Sequence, residues 1–279
     1  MTKESSMPFS ARLARWRAWV QGAFTLAWLD PLAWRYHMVC SPVFHCHSCP
    51  LALFACPIGV LAHFSALHLF PFVALGMLAV IGALVGSFVC GWACPFGFLQ
   101  DLAGRLPTPK FELPSWLGYS RYLVLLVLVL AIPYFFGEEH PLFFCRVCPA
   151  GALEAAVPHT ASTALAGGGI VWPTATKMSI LVVFLVAMVF IRRPWCTLLC
   201  PLGAIYSLCN RVSLVFLNFR SDRCNDCDLC RRLCHYRGLG QRRGDDQRCI
   251  RCLDCTRCTA VTLSNVFQIE KEKQNVSSQ

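Results

Sequence analysis

Three stretches of this chain, 69–89, 117–136 and 174–191, run about 20 residues with almost no charge. A helix needs about 20 such residues to cross the hydrocarbon core of a bilayer. Lipid also forces every backbone polar group to find its partner inside the protein, so these runs point to a helical membrane domain. Arg121 and Lys177 lie near segment ends, where a long cationic side chain reaches the headgroups. A fourth candidate, 18–34, is poorer because it holds Gln21, Asp30 and Pro31. Preceded by Arg12, Arg15 and Arg17, it has the outline of a secretory signal, but no small-residue cleavage site follows, so an uncleaved anchor is expected. Composition agrees: 56% of residues are apolar and 14% charged, against roughly 25% charged in soluble domains.

Four spans place both termini on one side. That side collects Arg12, Arg15, Arg17, Arg105, Lys110, Arg192, Arg193 and an Arg-rich tail, whereas the opposite loops offer Arg35 and Arg146. The positive-inside rule therefore predicts cytoplasmic termini in a bacterial-type inner membrane. Much of the net charge of +10 is then topology, and no nucleic-acid partner is expected. Residues 51–68 and 150–173 are apolar but short or broken by Pro and Gly, which suits re-entrant half-helices or amphipathic surface loops.

The nineteen cysteines need metal chemistry, redox chemistry or disulfides to explain them. Near the C-terminus the chain reads RCNDCDLCRRLC and then RCIRCLDCTRC. Three thiolates at two-residue spacing can hold corners of a cubane, and a more distant fourth completes the other cluster of a two-cluster ferredoxin. By that rule one [4Fe-4S] cluster takes Cys224, Cys227, Cys230 and Cys258, and the other takes Cys249, Cys252, Cys255 and Cys234. No Pro follows Cys234 or Cys258, and paired zinc sites are the alternative. Ten Arg against six Asp between Arg220 and Arg257 give either a solvated face or a landing surface for a soluble ferredoxin or other acidic electron carrier.

The motif CPxG occurs four times, at Cys56, Cys94, Cys148 and Cys200. One copy precedes and one follows a spanning segment in each half, as a duplicated hairpin with pseudo-two-fold symmetry would give. Pro at the first helical position makes each Cys an N-cap, where the helix dipole is expected to lower the thiol pKa. On the cytoplasmic side the motif lengthens to CxxxCP, with Cys90 and Cys94 in one half and Cys196 and Cys200 in the other. Four such thiols meeting across the pseudo-dyad would hold a further cluster beneath the terminal module; the alternative is redox or regulatory thiols without a cofactor. On the outer side stand Cys40, Cys46, Cys49, Cys56, Cys145 and Cys148, with His37, His45 and His47 nearby. Cluster ligation, disulfides and a copper or zinc site all fit them. Cys209 reads as a buried apolar residue. His63 and His68 read as haem ligands, quinone contacts or packing residues. The loop GEEHP, with Glu138, Glu139 and His140, reads as proton acceptors for quinol oxidation or as a solvated turn.

At these residues the sequence resembles the NapH-type membrane iron–sulfur proteins, quinol dehydrogenase subunits associated with periplasmic nitrate reductase, and their relatives in nitrous-oxide reduction (NosR-like) and methylamine utilisation. The likeness runs from about Arg12 to Cys258 and rests on the spans, the two CxxxCP motifs and the terminal module. It implies a cytoplasmic ferredoxin domain and electron traffic with the quinone pool. The outer cysteines are additional to the nitrate-reductase subunit's pattern.

The expected organisation is a basic segment 1–17, a mostly α membrane domain 18–219 with four transmembrane helices as a duplicated hairpin, a two-cluster ferredoxin-like module 220–262 and a polar tail 263–279. No nucleophile with a base, phosphate loop or nicotinamide fingerprint is present. The function expected is single-electron transfer between cytoplasmic-face clusters and the quinone pool or a membrane or periplasmic partner. A metal-handling factor that reduces a soft metal at the outer Cys/His group, or a thiol redox sensor, are the competing readings.

Overall fold

The computed structural model describes residues 9–28, 43, 56–111, 113–156, 160, 174–227, 229–234 and 247–265. It is mostly helical. Helix α1 (Phe9–Trp28) precedes α2 (Pro57–Ala66), α3 (Phe72–Val85), α4 (Phe88–Trp92) and α5 (Pro95–Gly104). The continuous helix α6 (Trp116–Phe136) follows, then α7 (Phe144–Val147), α8 (Pro149–Gly151), α9 (Ala175–Phe190), α10 (Pro194–Leu198) and α11 (Pro201–Cys209). Strand β1 (Val215–Phe219), α12 (Leu229–Leu233) and strand β2 (Val261–Asn265) follow among the described residues.

The duplication seen in the motifs is visible as architecture. A long apolar helix, a five-residue helix and a Cys-capped helix recur in order, as α3, α4, α5 and again as α9, α10, α11. All four CPxG cysteines are N-caps with Pro opening the helix, because Pro has no N–H to lose there and its φ is already helical. The two halves pack around a shared core that includes Phe96, Phe144, Trp195, Leu202 and Tyr206.

Among the described residues one helix, α6, is long and apolar enough to cross a membrane. It begins as a 3₁₀ turn, widens to a π-helix over Leu125–Ala131 and returns to α-helix at Ile132–Phe136. Pro133, which cannot donate an N–H, follows the wide turn closely, and the Ser65 hydroxyl donates to the Leu130 carbonyl. The other expected spans are shorter as helices. Helix α3 covers 14 residues, about 21 Å at 1.5 Å per residue, and stops at Gly86, whose φ is +56°. A Cβ there would come within 2.7 Å of Asn210 and 2.8 Å of Arg251, so the chain must break where the terminal module docks. Helix α9 covers 16 residues. Helix α1 starts before the expected boundary at residue 18 and includes Arg12, Arg15 and Arg17; residues 29–34 of that candidate span lie outside the described residues. Phe72, Val73 and Val80 on α3, Leu123, Leu126, Phe135 and Phe136 on α6, and Val182, Val183 and Val186 on α9 are all largely exposed, an apolar outer surface that lipid would cover.

Strands β1 and β2 pair antiparallel, Val215 with Asn265 and Phe219 with Val261. All eight C-terminal cysteines lie between them. The strand pairing draws Val215–Phe219 into the terminal module, upstream of the sequence boundary at residue 220.

Candidate metal centre

Helices α4 and α10 carry Cys90 and Cys196, while Cys94 and Cys200 cap α5 and α11. The structure brings these four thiols to the lining of one small cavity, shared with Arg121, Ser207 and, from the terminal module, Gln247, Cys249 and Ile250. The caps work through sulfur: Gly97 N–H donates to Cys94 Sγ at 3.4 Å and Gly203 N–H to Cys200 Sγ at 3.3 Å. Gln100 adds a third donor, its Nε2 standing 3.1 Å from Cys196 Sγ.

The expected lowering of the thiol pKa at the caps does not survive burial. Desolvation and then the neighbouring Cys196 push the Cys90 thiol up to about 12. Cys94 and Cys200 rise for the same reasons, and their cap hydrogen bonds only oppose the shift. Burial also raises Cys196, against the pull of Arg193. Four thiols that raise one another must sit close together, and a polynuclear cation is what would deprotonate them jointly.

One observation, beside the four sulfur donors themselves, tests the fit of an iron–sulfur cluster. Arg121, 6% exposed, has a buried Nε with no hydrogen-bond partner among the described residues, a donor available to the net negative charge of a thiolate-bound cluster. The chemistry of the cavity fits.

Polar groups outside the cavity lock its walls. Asp101 on α5 receives Arg193 Nε at 2.7 Å and Nη2 at 2.5 Å, and also pairs with Arg17 of α1. Arg17 reaches on to Asp254 of the module at 3.0 Å. Arg193 also holds the Cys90 carbonyl at 3.0 Å. Burial alone would raise the Asp101 carboxyl, but the two guanidinium groups outweigh it and hold it well below the usual carboxylate range.

The module sits directly on this site. Ile250 O lies where a Cβ at Gly91 would be 2.5 Å away. The Cys249 carbonyl accepts from the Ser87 hydroxyl and from Asn210 Nδ2. Arg251, fully buried, donates to the carbonyls of Val85 and Asn210, and Trp92 Nε1 donates to the Arg251 carbonyl. Within the module, burial followed by the neighbouring Cys252, Cys249 and Cys234 pushes the Cys255 thiol up. Cys230 and Cys258 pack on the same small core as Cys234 and Cys249; Cys227 is exposed and Cys224 half-buried.

Of the outer cysteines, Cys40, Cys46 and Cys49, with His37, His45 and His47, lie outside the described residues. Of the described outer cysteines, Cys56 and Cys145 are half-buried and Cys148 is buried. Cys56 and Cys145 face each other across Gly59, whose Cβ would lie 3.6 and 3.8 Å from them. The GEEHP loop is joined to α2 instead of to its own histidine: Glu138 Oε1 lies 2.7 Å from His63 Nδ1, while His140 Nδ1 accepts from Leu142 N–H. His63, Glu138, Glu139, Cys145, Arg146 and Lys177 line an open cavity there. His68 stands edge-on to Tyr134, and Cys209 packs on Gly82 of α3. Sequence reading missed Gln100, Asp101, Asn210 and Arg251. The repeat could have flagged Gln100 and Asp101, because they follow Cys94 at the positions where the second copy has Tyr206 and Ser207.

The 4Fe-4S binding domain family matches the chain twice, over 67–114 and 176–221. Those are the two halves carrying the CxxxCP motifs, not the terminal module. Relatives share the pattern across longer stretches. An uncharacterized protein of Methanocaldococcus jannaschii, MJ0750, is 31% identical over 63% of this chain and 70% of its own length. The chain belongs to the NapH/NosR-type group of 4Fe-4S binding proteins. Other members of the group are the putative electron transport protein YccM of Escherichia coli, 28% identical over 61% of this chain and 47% of its own, and the regulatory protein NosR of Pseudomonas aeruginosa, 32% identical over 54% and 20%. The match thus spans about half of YccM and a fifth of NosR. No solved structure matches the chain. An iron–sulfur, ferredoxin-type protein of electron transport is what group membership supports.

Proposed function

We propose that this protein is a multi-pass membrane electron-transfer protein that moves single electrons between its terminal module and a third iron–sulfur cluster held by Cys90, Cys94, Cys196 and Cys200. The observation that carries this is the shared cavity: the four CxxxCP thiols and Cys249 of the module line one space. A bound cluster supplies a one-electron couple whose charge is spread over iron and sulfur. The residues then do the rest. Cys224, Cys227, Cys230 and Cys258 serve one cluster of the module, and Cys249, Cys252, Cys255 and Cys234 serve the other. Cys249 stands both in that second set and in the wall of the CxxxCP cavity, so the gap between the two sites is short. Arg121, Gln100 and the two cap N–H groups offset negative charge.

Reading α1, α3, α6 and α9 as four spans with cytoplasmic termini is supported by their exposed apolar faces and by the basic residues at one side. Short helices cross by thinning the bilayer locally or by extension through their flanking turns. On the cytoplasmic side, an open cleft between α1, α5 and the module is lined by Arg15, Arg17, Arg105, Arg192, Arg193 and Arg257. Its charge suits a soluble ferredoxin or another acidic carrier as donor. The outer acceptor is the quinone pool or a membrane or periplasmic partner, with Cys40, Cys46, Cys49, Cys56, Cys145 and Cys148 as candidate ligands for a further centre.

Anaerobic purification with iron and acid-labile sulfide counting tests the core of this reading. Three cubanes give about twelve irons per chain and two give about eight. Twelve or more in the native protein, falling by about four in the C94S/C200S double variant, is the expected result. Eight in both would overturn it.

A further inference from the structure

Gln100 is 1% exposed and sits on α5, almost a hundred residues before the cysteine it touches. Its carboxamide orientation is fixed by its partners. Oε1 accepts the Trp195 N–H at 3.1 Å, and a backbone N–H can only donate. The amide nitrogen must then point the other way, where it meets the Phe96 carbonyl at 3.2 Å and Cys196 Sγ at 3.1 Å. Both amide hydrogens therefore have acceptors, and one of those acceptors is sulfur.

The two halves of the repeat differ at this point. Superposing CPFG on CPLG puts Gln100 opposite Tyr206, also fully buried, so the second copy has a phenol where the first has a carboxamide. Cap hydrogen bonds to Cys94 and Cys200 are matched between the halves. The amide-to-sulfur bond belongs to the Cys196 side. Hydrogen bonds to cluster sulfurs stabilise the more negative, reduced state and raise the reduction potential.

We infer that Gln100 is a positioning residue for the CxxxCP site, donating its amide N–H to the Cys196 thiolate and thereby setting the reduction potential of the cluster held there. The inference rests on the ligand set proposed above. The bond is stronger to the more negative, reduced cluster than to the oxidised one, so losing it is expected to make one-electron reduction about tenfold less favourable, a shift of about 59 mV.

The test is a dithionite titration followed by paramagnetic resonance on the full chain in detergent, with Q100L and Q100E. Both variants are expected to keep the native iron count and to move the midpoint of one signal down by at least that tenfold, leaving the signals of the terminal module in place. Q100L is the neutral variant, so its midpoint reads the lost donor, whereas Q100E adds a buried negative charge beside the thiolates and is expected to move the midpoint down further. A merely structural glutamine predicts a native midpoint for Q100L with iron retained. An unchanged midpoint with iron retained overturns the inference. Should both variants lose iron, 15N labelling of the glutamine side-chain amides alone, in a Q247L background, decides: a coupling from that label to the CxxxCP cluster supports the bond, since the backbone N–H groups of Gly97 and Gly203 do not carry it, and its absence overturns the inference. Native protein with only about eight irons would sink the ligand set itself, a different failure from a silent Gln100.

Discussion

At the residue scale the site depends on a small set of buried polar groups that clamp its walls. Asp101 is the centre of that set, because it neutralises Arg193, which is 1% exposed and has a left-handed φ of +50°. Replacing it as D101N leaves a buried guanidinium without its counter-charge, which costs about 3–5 kcal/mol. Thermal unfolding in detergent should show the loss, with an R17A variant losing less because Arg17 is more exposed. The pH dependence has a definite sign. The native carboxyl is depressed, so its stabilisation is complete above the ordinary carboxylate value of about 4 and is lost as pH falls through that value towards the native one. An unfolding midpoint that falls in acid for the native chain but stays flat for D101N is the expected pattern. None of this could be read from the sequence: Arg17, Asp101, Arg193 and Asp254 lie on four separate elements, and nothing in their local patterns announces that they meet.

At the element scale the readable part was large. Hydropathy located the cores of α3, α6 and α9, and Cys–Pro pairs marked the starts of α2, α5, α8 and α11. What hydropathy could not locate was the break in α3. Its apolar run continues through Val89, but Gly86 and the docked Arg251 impose a turn, and tertiary contact overrides the local preference for helix. The C-terminal CxxC spacing was legible because it is a local property, whereas pairing of β1 with β2 is not. Gly91 is, beside Trp92, a contact between α4 and the module. A methyl group there would meet Ile250 O at 2.5 Å, in backbone that cannot swing aside, so G91A should lift the module from its seat. Limited proteolysis is expected to cut within 220–262 several-fold faster in G91A than in the native chain, and spin coupling between module and CxxxCP signals should weaken. Equal cleavage rates would show that the seat is elsewhere.

At the scale of the whole molecule, two surfaces of opposite character divide the work. The exposed Leu, Val and Phe of α3, α6 and α9 face outward in a band, and the arginine-lined cleft opens at the end where the module sits. Arg257 follows Cys255 closely and lines that cleft. Reversing its charge as R257E should slow reduction by a soluble acidic ferredoxin several-fold and flatten the dependence of that rate on ionic strength, without altering iron content. Stopped-flow traces at low and moderate salt would show this; an unchanged salt slope would place the donor elsewhere. Topology reporters fused at either end should both read as cytoplasmic.

Gln247, Cys249 and Ile250 form one wall of the cavity that the four CxxxCP thiols share, and they belong to a module that cannot close until β2, near the end of the described chain, pairs with β1. The other residues lining the cavity, the last of them Ser207, all precede the module in the chain. If the four thiols hold a cluster as proposed, iron has to arrive before the module closes that wall, or the module would have to lift off again to admit it.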